Sequence, residues 1–186
     1  LADAVFGEAA FEPSSTAGDT TKHDIEYCFT DIGKSFVDQR REWADTTNND
    51  RLSCKVLDIT RDPSTQGFTN ESFDVILAMN VVHATPDIRQ SLAHLQALLA
   101  PGGALLLLES VQQEDWVDMV WGLTPGWWAF ADEPLRTSTP LMSPATWRGV
   151  LQDTGYVDVH SSAQNSNAPN SSAQSGSADE TALIFA

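Results

Sequence analysis

The chain has 186 residues and a formal net charge of −16 at pH 7. That length suits one domain with a proper core and is short for two. The charge speaks against nucleic acid and anionic membranes as partners, and no apolar run is long enough to span a membrane. The first residues, Leu1-Ala-Asp-Ala-Val-Phe, lack an initiator Met and carry no signal-peptide pattern, so the chain reads as an excised piece of something larger.

Residues 1–12 have the composition of a short helix, and residues 13–24 (PSSTAGDTTKHD) that of a loop. Residues 1–24 are therefore read as an N-terminal remnant or linker, and 25–186 as the core. Ile25 to Asp31 predicts a strand ending in an acid, Lys34 to Ala44 a helix, and Leu52 to Asp58 a second strand ending in an acid. Asp62-Pro-Ser-Thr-Gln-Gly is a loop or single turn. Strand 73–79, helix 86–99 and strand 104–109 follow, the last after a Pro101-Gly-Gly turn. This alternation implies a parallel sheet with helices on both faces. Segment 115–130 concentrates four of the six Trp residues. Pro144 to Asp153 predicts a helix with Ser143 as N-cap, ended by Gly155. Tyr156 to His160 and Thr181 to Phe185 predict two more strands, and the Ser, Asn, Ala and Gln run at 161–179 a flexible loop between them. Cys28 and Cys54 fall inside predicted strands, which reads as thiols packed in a core within a reducing, cytoplasmic setting.

The chemistry gathers at 74–109. A strand, a polar end, a crossover helix and a second strand put His83 and Glu109 at the carboxyl ends of neighbouring parallel strands, where open α/β sheets bind ligands. His83 reads either as a structural histidine or as a general base set by a nearby carboxylate. Glu109 follows four leucines and must be paired or solvated there. Taken together, each residue explains the other. Asp31 and Asp58 each cap a following turn on one reading. On the other, the first holds a ribose diol and the second an adenine amino group. The Trp segment is either an amphipathic helix packing its aromatics or a lid over an acyl chain. Gly126-Trp127-Trp128 interrupts the helical pattern and favours the lid. His94 is expected on the exposed side of its helix, and His23 and His160 have no evident partner. There is no metal-ligand spacing, Gly-x-Ser-x-Gly elbow or phosphate-binding loop.

Tyr27-Cys-Phe-Thr-Asp31-Ile resembles the Y-x-F-T-D-I segment of methyltransferase domains embedded in polyketide synthases. So do Leu57-Asp58-Ile-Thr-Arg-Asp62-Pro with Gln66-Gly-Phe68, Asn80-Val-Val-His83-Ala-Thr, and Leu98-Leu-Ala-Pro101-Gly-Gly with Leu108-Glu109. Trp121-Gly-Leu, Gly126-Trp127-Trp128-Ala-Phe130 and Pro140-Leu-Met-Ser143 with Trp147 extend the resemblance over roughly residues 25–160. The resemblance implies a Rossmann-like, class I S-adenosylmethionine-dependent methyltransferase fold. It implies α-methylation of a β-ketoacyl chain on an acyl carrier protein, with neighbouring synthase domains as further partners. His83 and Glu109 would be catalytic, as base and orienting partner. Asp31, Asp58 and Asn80 would bind the cofactor. Docking an acidic carrier would need a basic patch, for which Lys34, Arg40 and Arg41 are the candidates.

One departure stands out. The resemblance calls for a first strand and a loop of the form E-x-G-x-G-x-G before Tyr27, and residues 14–24 contain neither. The fold is thus expected to be truncated in its N-terminal part. The leading expectation is a non-catalytic pseudo-methyltransferase that serves the synthase structurally and holds no cofactor. The alternative is an active C-methyltransferase that binds S-adenosylmethionine and uses a His83–Glu109 dyad. A third is cofactor-free proton transfer by that pair. With the central first strand missing, strand 25–31 is expected to pair directly with strand 73–79, unless residues 1–24 or a neighbouring domain cover that edge.

Overall fold

The computed structural model describes residues 25–112, 115–162 and 181–186. The expected helix at 1–12 and nearly all of the expected loop at 161–179 lie outside them. Ten elements follow one another. They are β1 (Tyr27–Asp31), α1 (Lys34–Thr46), β2 (Leu52–Val56), β3 (Phe73–Met79), α2 (Ile88–Leu98), β4 (Leu99–Ser110), α3 (Asp115–Trp121), α4 (Pro144–Asp153), β5 (His160–Ser161) and β6 (Thr181–Phe185). Single 3₁₀ turns occupy Pro63–Gln66 and Val82–Ala84.

The strands form two sheets. β1 and β2 make a parallel pair, and a four-stranded sheet runs β3-β4-β6-β5. β3 and β4 are parallel, while β6 is antiparallel to both β4 and β5. The expected pairing of strand 25–31 with strand 73–79 does not form. β1 bonds only to β2 among the described residues, and β3 is an edge strand.

β4 shows why the core lies on one face. Leu105, Leu107 and Glu109 are buried in alternation, as a period of two requires. Ile76 pairs with Leu105 and Ala78 with Leu107, so these residues share that face. α2 covers it with Ile88, Leu92 and Leu95, and α4 with Trp147, Val150 and Leu151, all in one cluster. Helices on both faces were expected. The opposite face instead leaves Val75 and Leu77 57% and 68% exposed among the described residues. Asp87 caps α2 by accepting from Gln90 N, and Ser143 caps α4 from Thr146 N with Pro144 in the first turn, as its sequence signals.

The Pro101-Gly102-Gly103 turn lies inside β4 as a break in register, with Phe73 opposite Leu99 and Val75 opposite Ala104. Gly102 has φ +80°, and a Cβ on Gly103 would sit 2.9 Å from Ala100 O. Neither position tolerates a side chain without strain.

Three local expectations are corrected. The strand expected at Tyr156–His160 shrinks to His160–Ser161, because Asp158 turns the chain at φ +55° and Tyr156 is anchored through its hydroxyl to Leu92 O at 3.0 Å. Burial pushes that phenol's pKa up. His94 is half-buried, not exposed, and its Nδ1 lies 2.8 Å from Ile59 O. Cys28 and Cys54 are half-buried free thiols, not fully buried ones. Cys28 packs against a small cluster of Leu57, Phe68 and Leu98, which joins the β1–β2 unit to α2.

Candidate active site

At the end of β3, Asn80 N donates to Leu108 O at 2.8 Å, and Asn80 then takes φ +50°. Asn tolerates this left-handed geometry better than most residues. Its Oδ1 accepts from Ser110 N at 2.8 Å and Ser110 Oγ at 3.1 Å, stapling the ends of β3 and β4 together. The amide Nδ2 is thereby fixed as the outward donor. The chain next winds into the turn Val82–Ala84, which carries His83.

Glu109 closes this turn from the opposite strand. It is fully buried, at the end of the Leu105–Leu107 stripe. Oε1 accepts from Val81 N at 3.3 Å and Val82 N at 3.0 Å, and Oε2 lies 2.5 Å from His83 Nδ1. A buried carboxylate needs such partners. A carboxylate only accepts, so a neutral imidazole bonded to it carries its proton on Nδ1 and offers Nε2 as the accepting nitrogen. His83 is itself buried, with the edge of Trp127 against it at 5.8 Å between ring centres.

A cavity of about 360 Å³ opens beside this pair, lined by Asn80, His83, Ser110, Trp116, Trp121 and Trp127 among others. The Trp segment forms its wall. α3 stops at Trp121, and the following turns are tied by Trp127 Nε1 donating to Asp118 Oδ1 and Trp128 Nε1 to Gly122 O, both at 2.9 Å. A short helix followed by turns matches the break in periodicity at Gly126.

The structure thus brings His83, Glu109 and Asn80 together. Asp31 and Asp58 do not line the cavity. Asp31 Oδ1 accepts from its own Gly33 N at 2.6 Å. Asp58 Oδ1 accepts from Thr60 N at 3.0 Å and Thr60 Oγ1 at 2.6 Å. Each acid thus caps its own turn with one carboxylate oxygen. The Lys34, Arg40 and Arg41 patch is also weaker than expected. Lys34 and Arg41 both pair with Asp38, and the Lys34 hydrogen bond leads in holding that carboxyl below its usual range. Arg40 lies over Phe29 and Trp43. Among the described residues no cluster could hold a metal ion, and no helix is long and apolar enough to cross a membrane.

Sequence reasoning missed Arg136. This buried guanidinium contacts His83 O, and its carboxylate partner is Asp132. The i,i+4 spacing of Asp132 and Arg136 is the one signal present in the sequence, and it is shared by many surface pairs.

A family model described as a methyltransferase domain matches residues 12–105. The chain belongs to this family. The methyltransferase domain is homologous to polyketide synthases. It is 43% identical over 135 residues to the highly reducing polyketide synthase FUM1 of Gibberella moniliformis, which is 73% of this chain and 5% of that protein. Among solved structures, the CurJ carbon methyltransferase superposes with TM-score 0.74 at 39% identity, covering 86% of this chain and 40% of that one. The trans-methyltransferase CalH in complex with SAH gives TM-score 0.71 at 30% identity, covering 86% and 42%. The domain accordingly spans about 5% of the curated relatives it matches and about 40% of these solved chains. Its fold is the mixed α/β, Rossmann-like fold of S-adenosylmethionine-dependent methyltransferases, in partial form.

The described residues do not by themselves complete a site for that cofactor. The two acids spend an oxygen each on their own turns. Among the described residues no strand lies between β1 and β3, and no Gly-rich backbone stands beside Asp31. Isolated carboxylates supply no close backbone approach for a ligand.

Proposed function

We propose that this methyltransferase domain of a polyketide synthase does not transfer a methyl group and serves as a structural element beside neighbouring synthase domains and the acyl carrier protein. One observation carries the reading: among the described residues β1 and β3 stand unjoined, and one oxygen each of Asp31 and Asp58 caps its own turn. The sequence before Tyr27 supports it, since residues 14–24 hold no E-x-G-x-G-x-G loop. Calorimetry on the full chain tests it. No S-adenosylmethionine binding is expected in the micromolar range, and a micromolar Kd would overturn the reading.

The assembled dyad favours a second reading, an active C-methyltransferase acting on the α-carbon of a carrier-bound β-ketoacyl chain. His83 Nε2 would remove the α-proton in the cavity, and Glu109 would hold the ring and balance the charge it gains. Asn80 Nδ2 and the Trp wall would orient the thioester and exclude water. A positioned base supplies about 10²–10⁴-fold in rate. On this reading His83→Ala lowers methyl transfer by at least that factor with little change in binding. Deuterium exchange at the α-carbon of a β-ketoacyl thioester, without cofactor, reports the proton-transfer half on its own.

A further inference from the structure

Arg136 is 2% exposed and has no part in the chemistry described above. A buried cation must be paired and hydrogen-bonded, and the way Arg136 is paired is specific. Its Nε donates to Asp132 Oδ1 at 2.7 Å and its Nη2 to Asp132 Oδ2 at 2.8 Å, a bidentate fork. Nη1 donates to the carbonyl oxygen of His83 itself at 2.7 Å. Nη2 also reaches Thr85 O at 2.7 Å and Pro86 O at 3.0 Å. Phe130 lies beneath the guanidinium, 5.3 Å from its ring centre, and Asp132 Oδ2 accepts from Ile88 N at 3.1 Å.

These bonds complete a two-sided clamp on the turn that carries His83. Glu109 takes the N–H side, at Val81 and Val82. Arg136 takes the carbonyl side, at His83, Thr85 and Pro86. A one-turn 3₁₀ segment has little internal hydrogen bonding to hold its own geometry. The peptides leading into the turn are set by Glu109 and the peptide after His83 by Arg136, and with them the direction of the imidazole. Lysine would keep the charge but lose the planar fork that meets carboxylate and carbonyls together.

We infer that Arg136, locked by Asp132, is a positioning residue that holds His83 with Nδ1 on Glu109 and Nε2 toward the cavity. The inference rests on the reading of His83 as the proton-transfer base, and its test separates the two. In the full chain labelled with ¹⁵N-histidine, His83 is expected in one tautomer, with the proton on Nδ1. Arg136→Lys is expected to leave the fold intact by near-ultraviolet circular dichroism while His83 shows both tautomers and a broadened Nδ1 proton. α-Proton exchange of a β-ketoacyl thioester should fall about 10²-fold, the usual scale for a small misplacement of reacting groups, with KM nearly unchanged. If that variant does not fold, Asp132→Asn, which removes the lock and keeps the guanidinium, decides in its place. A folded variant with the His83 tautomer unchanged overturns the inference, because a residue that only satisfied buried carbonyls would lower Tm and leave the ring alone. If the unmodified chain exchanges no α-proton, the base reading fails, and the His83 spectrum still decides the role of Arg136.

Discussion

The four-stranded sheet with α2 and α4, and the β1–β2 pair with α1, are two halves of one fold held together very differently. The first has a continuous core running from Ala78 and Leu92 through Leu105 and Leu107 to Trp147 and Ile184. It keeps His83, Glu109, Asn80 and the Trp wall in bonded register. The second buries Val37 and Ala44 on α1 and leans on the small Leu57, Phe68 and Leu98 cluster. Its two acids serve their own turns. A site built from side chains on well-packed strands is held by its own core. A site that depends on backbone lying between β1 and β3 needs a strand that no described residue supplies.

The comparison can be broken at its strongest point. Trp147 is fully buried in the larger core, and truncating such a residue costs about 3–5 kcal/mol. Trp147→Ala should therefore abolish cooperative unfolding or lower its midpoint sharply, in urea titration followed by circular dichroism. A small change would mean that the larger half does not carry the stability assigned to it. Trp147 Nε1 has no hydrogen-bond partner among the described residues, so Trp147→Phe should cost far less.

Val37 sharpens the contrast. It is fully buried on α1, and Val37→Ala removes two methyl groups, at about 1–3 kcal/mol. Amide exchange should speed up in β1, β2 and α1 while β3, β4 and α2 keep their protection. Equal loss in both halves would show them to be one cooperative unit.

The smallest stability effect is expected at Leu77, on the bare face of β3, where it is 68% exposed. Leu77→Thr should change stability by no more than about 0.5 kcal/mol, since the described residues leave it mostly exposed. The same change should raise the concentration at which the chain aggregates, read by light scattering, because an exposed apolar edge strand invites pairing. A large loss of stability would mean that another segment covers this face.

Much of the first half was legible in the sequence. Ser143-Pro144 and the leucine run before Glu109 act locally, through capping and period-two alternation, and each fell where the sequence put it, while the Pro101-Gly102-Gly103 turn lies inside β4 and not ahead of it. The pairing of His83 with Glu109 was legible too, because a carboxylate ending an apolar strand needs a partner and parallel strands bring their ends together. The start of the strand predicted at Tyr156–His160 was not, since Asp158 and the Tyr156–Leu92 bond act against strand propensity. Nor was the exposure of His94, set by a carbonyl from a distant loop. The sequence alone determined most of the elements, the His83–Glu109 pair and the lack of a Gly-rich loop before Tyr27. Only the tertiary structure decided that β1 stays with β2, that Asp31 and Asp58 turn inward on their own loops, and that Arg136 grips the carbonyl of His83. Those outcomes depend on which backbone groups, far apart along the chain, find each other once burial has removed water as the alternative partner.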